Sequence, residues 1–202
     1  MVRRSVVPVA VIAAVLIHTG LGAAAEPILK LALQRADMPA TLQKGPFAYP
    51  EVVDPNHLKP FLTRGLEAAH YVFQWKVGTL NTPIGSVDKQ WVLEGNVYRA
   101  PDETSAKRFF ALGKAAQIGT FSYDSFPGKL QNLDMPAYGD EQVARVSNDP
   151  ATGLGVMVFV RKGTVVWETR VATIPIQFQV PQTEMVKVLD AYAAKQKARV
   201  GA

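Results

Sequence analysis

The sequence predicts an α+β fold: an antiparallel sheet with helices packed against it. Three observations predict it. Several segments alternate apolar and polar residues with a period of two, as half-buried strands do. The turns between the later ones are short enough to join antiparallel neighbours. Two further segments, one mid-chain and one at the C-terminal end, carry apolar stripes at helical spacing.

Residues 1–25 have the layout of a secretory signal peptide. Arg3 and Arg4 give a basic start, Val6 to Ile17 is apolar around Pro8, and Ala23-Ala24-Ala25 supplies the small residues of a cleavage site before Glu26. An uncleaved anchor is the competing reading. Val6 to Ala25 is about the length that spans a bilayer, but Gly20, Gly22 and the alanines dilute its apolar character. The paired arginines also fit twin-arginine export, with the general export route as the default. Residues 26–202 are expected to form a single domain.

Ile28 to Arg35 reads as a short amphipathic helix with Ile28, Leu31 and Ala32 on one face. From Gly45 to Pro60, four prolines (Pro46, Pro50, Pro55 and Pro60) predict an irregular surface loop. Ala69 to Val77 alternates: Ala69, Tyr71, Phe73, Trp75 and Val77 point one way, His70, Val72, Gln74 and Lys76 the other. Leu80 to Ser86, with Asn81, Pro83 and Gly85, reads as a loop. Gln90 to Arg99 alternates again, Trp91, Leu93 and Val97 inward and Gln90, Glu94 and Asn96 outward. Asp102 is placed to cap a helix over 103–117 whose stripe is Ala106, Phe109, Phe110 and Gly113. Phe121, Tyr123 and Phe126 are expected to cover an edge of the core. Three strands follow: Asp140 to Ser147; the continuously apolar Leu154 to Arg161, expected to be central; and, after a tight turn at Lys162-Gly163, the segment in which Val165, Trp167 and Val171 alternate with Glu168 and Arg170. Pro181 to Val200 closes the chain as a helix with Met185, Leu189, Tyr192 and Ala193 as its stripe.

The chain has no cysteine, which excludes disulfides, thiol catalysis, cysteine metal sites and lipidation at the cleavage site. Without Arg3 and Arg4, 20 basic residues face 17 acidic ones, and they are scattered. The densest group, Lys187, Lys195, Lys197 and Arg199, suits the C-terminal end of a helix dipole better than a nucleic-acid or membrane surface.

No catalytic motif stands out. There is no G-x-S-x-G, and Gly153-Leu154-Gly155 lacks the third glycine of a phosphate loop. His57 and His70 lack the spacing of a metal pair. Asp140 and Glu141 are expected to face opposite sides of one strand. The candidate ligand-binding residues are therefore of two kinds. His70, Glu94 and Arg170 belong to the polar side of the sheet, together with Gln74, Gln90, Asn96 and Glu168; a solvated face explains them equally well. Trp75, Trp91 and Trp167 fall on the apolar side, as core or as the lining of an aromatic pocket. Glu94 and Arg170 are expected to be exposed and to pair weakly across strands, so that replacing either leaves thermal unfolding nearly unchanged.

Tyr138-Gly139-Asp140-Glu141, the strand ending Phe159-Val160-Arg161-Lys162-Gly163-Thr164-Val165-Val166, and the closing helix with Ala194-Lys195-Gln196-Lys197-Ala198-Arg199 resemble a pattern in exported bacterial proteins. Asn96-Val97-Tyr98 and the helix bearing Ala106 and Phe109-Phe110 add to it. The pattern is similar to the extracellular sensor domains of actinobacterial serine/threonine kinases and to related lipoproteins. That resemblance implies a curved antiparallel sheet flanked by helices, PsbP-like, and a role in extracytoplasmic sensing without catalysis or cofactor. The chain departs from the pattern in lacking disulfides, a kinase domain and a lipobox. The expectation is an exported, periplasmic or extracellular binding domain, not a lipoprotein. Its partner would be a small ligand or an envelope protein. It would meet the membrane only through an uncleaved signal. The alternatives are a small extracytoplasmic hydrolase with an unrecognised site and a structural envelope protein.

Overall fold

A computed structural model describes residues 25–39, 50–53, 65–83, 85–115, 130–149, 153–174 and 180–201. Seven strands form one open antiparallel sheet: β1 (Glu51–Val53), β2 (Glu67–Thr82), β3 (Gly85–Arg99), β4 (Leu130–Asn132), β5 (Glu141–Asp149), β6 (Gly153–Lys162) and β7 (Val165–Ile174), in the order β1-β2-β3-β7-β6-β5-β4. The helices are α1 (Ala25–Leu31), α2 (Glu103–Ala115) and α3 (Gln182–Val200). The α+β expectation holds.

The sheet is covered on both sides. On one, Ala69, Tyr71, Phe73, Leu93, Val97, Val158, Val160, Trp167 and Val171 pack against Ile28 of α1 and Met185, Leu189, Tyr192 and Ala193 of α3. On the other, α2 turns Ala106, Phe109 and Phe110 onto Ala68, Tyr98, Val143, Phe159 and Val166. Alternation within each strand feeds the two cores in turn. The backbone N–H of Ser105 donates to Asp102 Oδ1 at 2.7 Å, the cap the sequence predicts. Phe110 stacks on Phe159, ring centroids 5.0 Å apart. Gly163 turns β6 into β7 with a φ of 56°.

Several expectations need correction. The first helix ends at Leu31, not Arg35. There the Gln34 amide donates to the carbonyls of Leu29 and Ala32, taking up orphan acceptors at the helix end. The proline-rich segment contains β1, whose three residues pair with Ala68 to His70. The loop expected at Leu80 to Ser86 is instead the far end of a hairpin, paired from Thr79–Asp88 to Thr82–Gly85. A bulge at Lys76/Gly78 shifts the register there, which puts Val77 at 45% exposure instead of inward. Asp140 lies before β5, so it shares a side with Glu141: Arg161 Nη1 donates to Asp140 Oδ2 at 3.0 Å and Arg161 Nε to Glu141 Oε1 at 2.7 Å. The C-terminal cations tie α3 down. Arg199 donates to Asp37 Oδ2 at 2.6 Å and Lys197 to the Ala137 carbonyl at 3.0 Å. Residues 1–24, His57, Phe121, Tyr123 and Phe126 lie outside the described residues.

Candidate functional site

Beyond the reach of α2, the same side of the sheet changes character. The next rows carry His70 on β2, Glu94 and Asn96 on β3, and Glu168 and Arg170 on β7. The register sets His70 opposite Asn96, Asn96 opposite Glu168, and Glu94 opposite Arg170. Cross-strand neighbours on one face lie close enough for their side chains to interact.

A line of charges crosses four strands. His70 Nδ1 lies 4.0 Å from Glu51 Oε1 on β1, and His70 Nε2 3.3 Å from Glu94 Oε1. Glu94 Oε2 in turn lies 3.5 Å from Arg170 Nη1. Beside this line Asn96 Nδ2 donates to Glu168 Oε1 at 2.5 Å. Glu168 is 1% exposed and Arg170 6%. The face predicted to be solvated is therefore buried at these residues, and the expectation that Glu94 and Arg170 form a weak exposed pair is corrected. Removing one partner of a buried pair strands the other and costs about 3–5 kcal/mol.

Burial and neighbours push the two acids apart. Burial alone would raise Glu94, but the hydrogen bond from His70 and the charge of Arg170 outweigh it and hold the carboxyl below its usual range. At Glu168 burial wins over the Asn96 amide and the Arg170 charge, and its pKa is pushed up to about 7. Glu168 Oε2 is buried and has no hydrogen-bond partner. Such an atom costs about 1–3 kcal/mol, and native structures hold few of them.

The back of the site is fixed from the opposite side of the sheet. Tyr71 lies over Gly95, and its hydroxyl hydrogen-bonds Thr169 Oγ1 at 2.8 Å. A Cβ at Gly95 would collide with the Glu168 carbonyl and the Tyr71 hydroxyl. This pins β7 at the residue that carries the unsatisfied carboxylate.

The candidate residues therefore divide. His70, Glu94 and Arg170 come together; Trp75, Trp91 and Trp167 lie on the other side of the sheet. Trp167 is fully buried, with Tyr138 edge-on at 6.2 Å. Trp75 stacks on Trp91 at 6.3 Å and meets Tyr192 of α3 at 6.0 Å. They serve the α3 core and do not share a site with the charges. Asn96 and Glu168 belong to the cluster, although the sequence singled them out only as outward-facing; their alternation with Val97 and Trp167 was the available signal.

Compared with known proteins, the chain matches no family model, no curated protein and no solved structure. Among the described residues no helix is long and apolar enough to cross a membrane.

Proposed function

We propose that the protein is an exported, non-catalytic binding domain of the bacterial cell envelope. It would hold a small ligand or a partner on the charged rows beside α2. The observation that carries this reading is the line Glu51–His70–Glu94–Arg170, which runs from an exposed end at Glu51 to buried Arg170 and is flanked by buried Asn96 and Glu168. An apolar row there would extend the α2 core at lower cost, since buried ion pairs are often replaceable by packed hydrocarbon without loss of stability. Perturbed, buried ionisable groups collected on one face are more often tied to binding or catalysis. The signal-like N-terminus and the resemblance to kinase sensor domains support the exported, sensor-like part.

The test removes both charges of the central pair, leaving neither buried partner unmatched. Wild-type protein and the double variant Glu94→Gln/Arg170→Gln are recovered from the envelope of the producing cell, and bound small molecules and proteins are identified by mass spectrometry. The expected result is a molecule retained by the wild type at stoichiometric level and lost from a folded double variant. Equal retention by both places binding elsewhere, and turnover of the retained molecule favours the hydrolase.

A further inference from the structure

Resting on the reading of this face as a binding surface, we propose that its ligand carries a protonated primary amine whose N–H is accepted by Glu168 Oε2. Three observations lead there. The first is geometric: Glu168 Oε1 is taken by Asn96, whereas Oε2 is buried without a hydrogen-bond partner. In its ionised form this oxygen only accepts, so the group it then lacks is a donor. The second is charge. Arg170 and Glu94 face each other across β3 and β7 as a buried pair of opposite sign, and Glu168 is the surplus acid. Among the described residues the charged and titratable groups near it are Arg170 on its own strand, Glu94 on β3, and His70 and Tyr71 on β2. From α2 only Ala106, Phe109 and Phe110 join the core on this side. A cation therefore completes the balance. The third is the donor set. Oε2 is a single free acceptor, whereas a metal ion wants several ligands converging, so the cation that fits it is an organic one with an N–H.

Calorimetric titration of the full chain with three probes tests this: butylammonium, 1-butanol, which has a donor but no charge, and butyltrimethylammonium, which has the charge but no N–H. Butylammonium is expected to bind at least tenfold more tightly than either. Its affinity should rise about tenfold from pH 6 to pH 8, because only the ionised carboxylate accepts a cation and the ionised fraction grows across that range. Proton release on binding should accompany this at the lower pH. Glu168→Gln should lose at least tenfold at pH 8 while keeping its circular dichroism. The pH series on the wild type stands whether or not that variant folds. Equal binding of 1-butanol or of the trimethyl probe, a flat pH profile, or no binding of butylammonium overturns the amine assignment. The envelope-recovery experiment decides separately whether the face binds anything.

Discussion

Gly95 is small because Tyr71 crosses it to reach Thr169. Side chain and backbone occupy the space that a methyl group would need, and neither is the free end of a flexible chain. Gly95→Ala is therefore expected at the upper end of overpacking costs, about 3 kcal/mol by chemical denaturation; a loss under about 1 kcal/mol would mean that Tyr71 can move aside. Glu168 gives a second prediction at this scale. Its folded pKa stands above the ordinary carboxyl value, so the native state holds a proton that the unfolded chain releases. Its contribution is then fully present below about pH 4.5 and is lost as pH rises to about 7, a change of roughly 3 kcal/mol. Glu94, held low, works in the opposite sense, so the useful measurement is the difference between wild type and Glu168→Gln. Relative to the wild type, Glu168→Gln should gain stability from pH 5 to pH 8, and a difference constant with pH would sink the assignment. The side of the sheet for His70, Glu94, Asn96, Glu168 and Arg170 was legible from alternation alone. The burial of Asn96, Glu168 and Arg170 was not: period gives the side a residue faces, while what covers that side comes from elements distant in sequence.

Among the elements, those with a long, clean period were the readable ones. The Asp102 cap and the Ala106–Phe109–Phe110 stripe announced α2, and the stripe on Met185, Leu189, Tyr192 and Ala193 announced α3. Three-residue strands such as β1 and β4 are too short to show a period. The β2–β3 hairpin was misread because Asn81, Pro83 and Gly85 carry turn chemistry, yet pairing persists as far as Thr82 and Gly85. Phe159 joins β6 to α2 through its stack on Phe110 and is fully buried. Phe159→Ala should cost about 3–5 kcal/mol, as a shift in the denaturation midpoint with unchanged slope. A loss under about 1 kcal/mol would detach α2 from the argument.

For the molecule as a whole, two cores on opposite sides of one sheet are held in register by α1, α2 and α3. Gln196 of α3 is the buried link at one end: the Leu33 amide donates to its Oε1 at 3.1 Å and its Nε2 donates to the Leu31 carbonyl at 2.5 Å. Arg161 is the link at the other, reaching Asp140, Glu141 and, at 3.5 Å, Glu103 at the start of α2. The core uses Ile28, Ala32 and Leu33, all of which survive cleavage after Ala25. On the proposed reading that the chain is exported, its mature form is expected to begin at Glu26, read by intact-mass spectrometry; a chain still starting at Met1 would favour the anchor.

The place of β7 in the sheet has a kinetic consequence. β2 with β3, and β5 with β6 and β7, are local hairpins that can zip by themselves. The sheet becomes one only when β3 meets β7, a pairing that joins Asn96 to Glu168 across 72 residues. Closing so long a loop is paid in entropy before any contact rewards it, and it slows folding. The charged rows sit on that seam, so neither hairpin can form them by itself: they exist only once β3 and β7 have met.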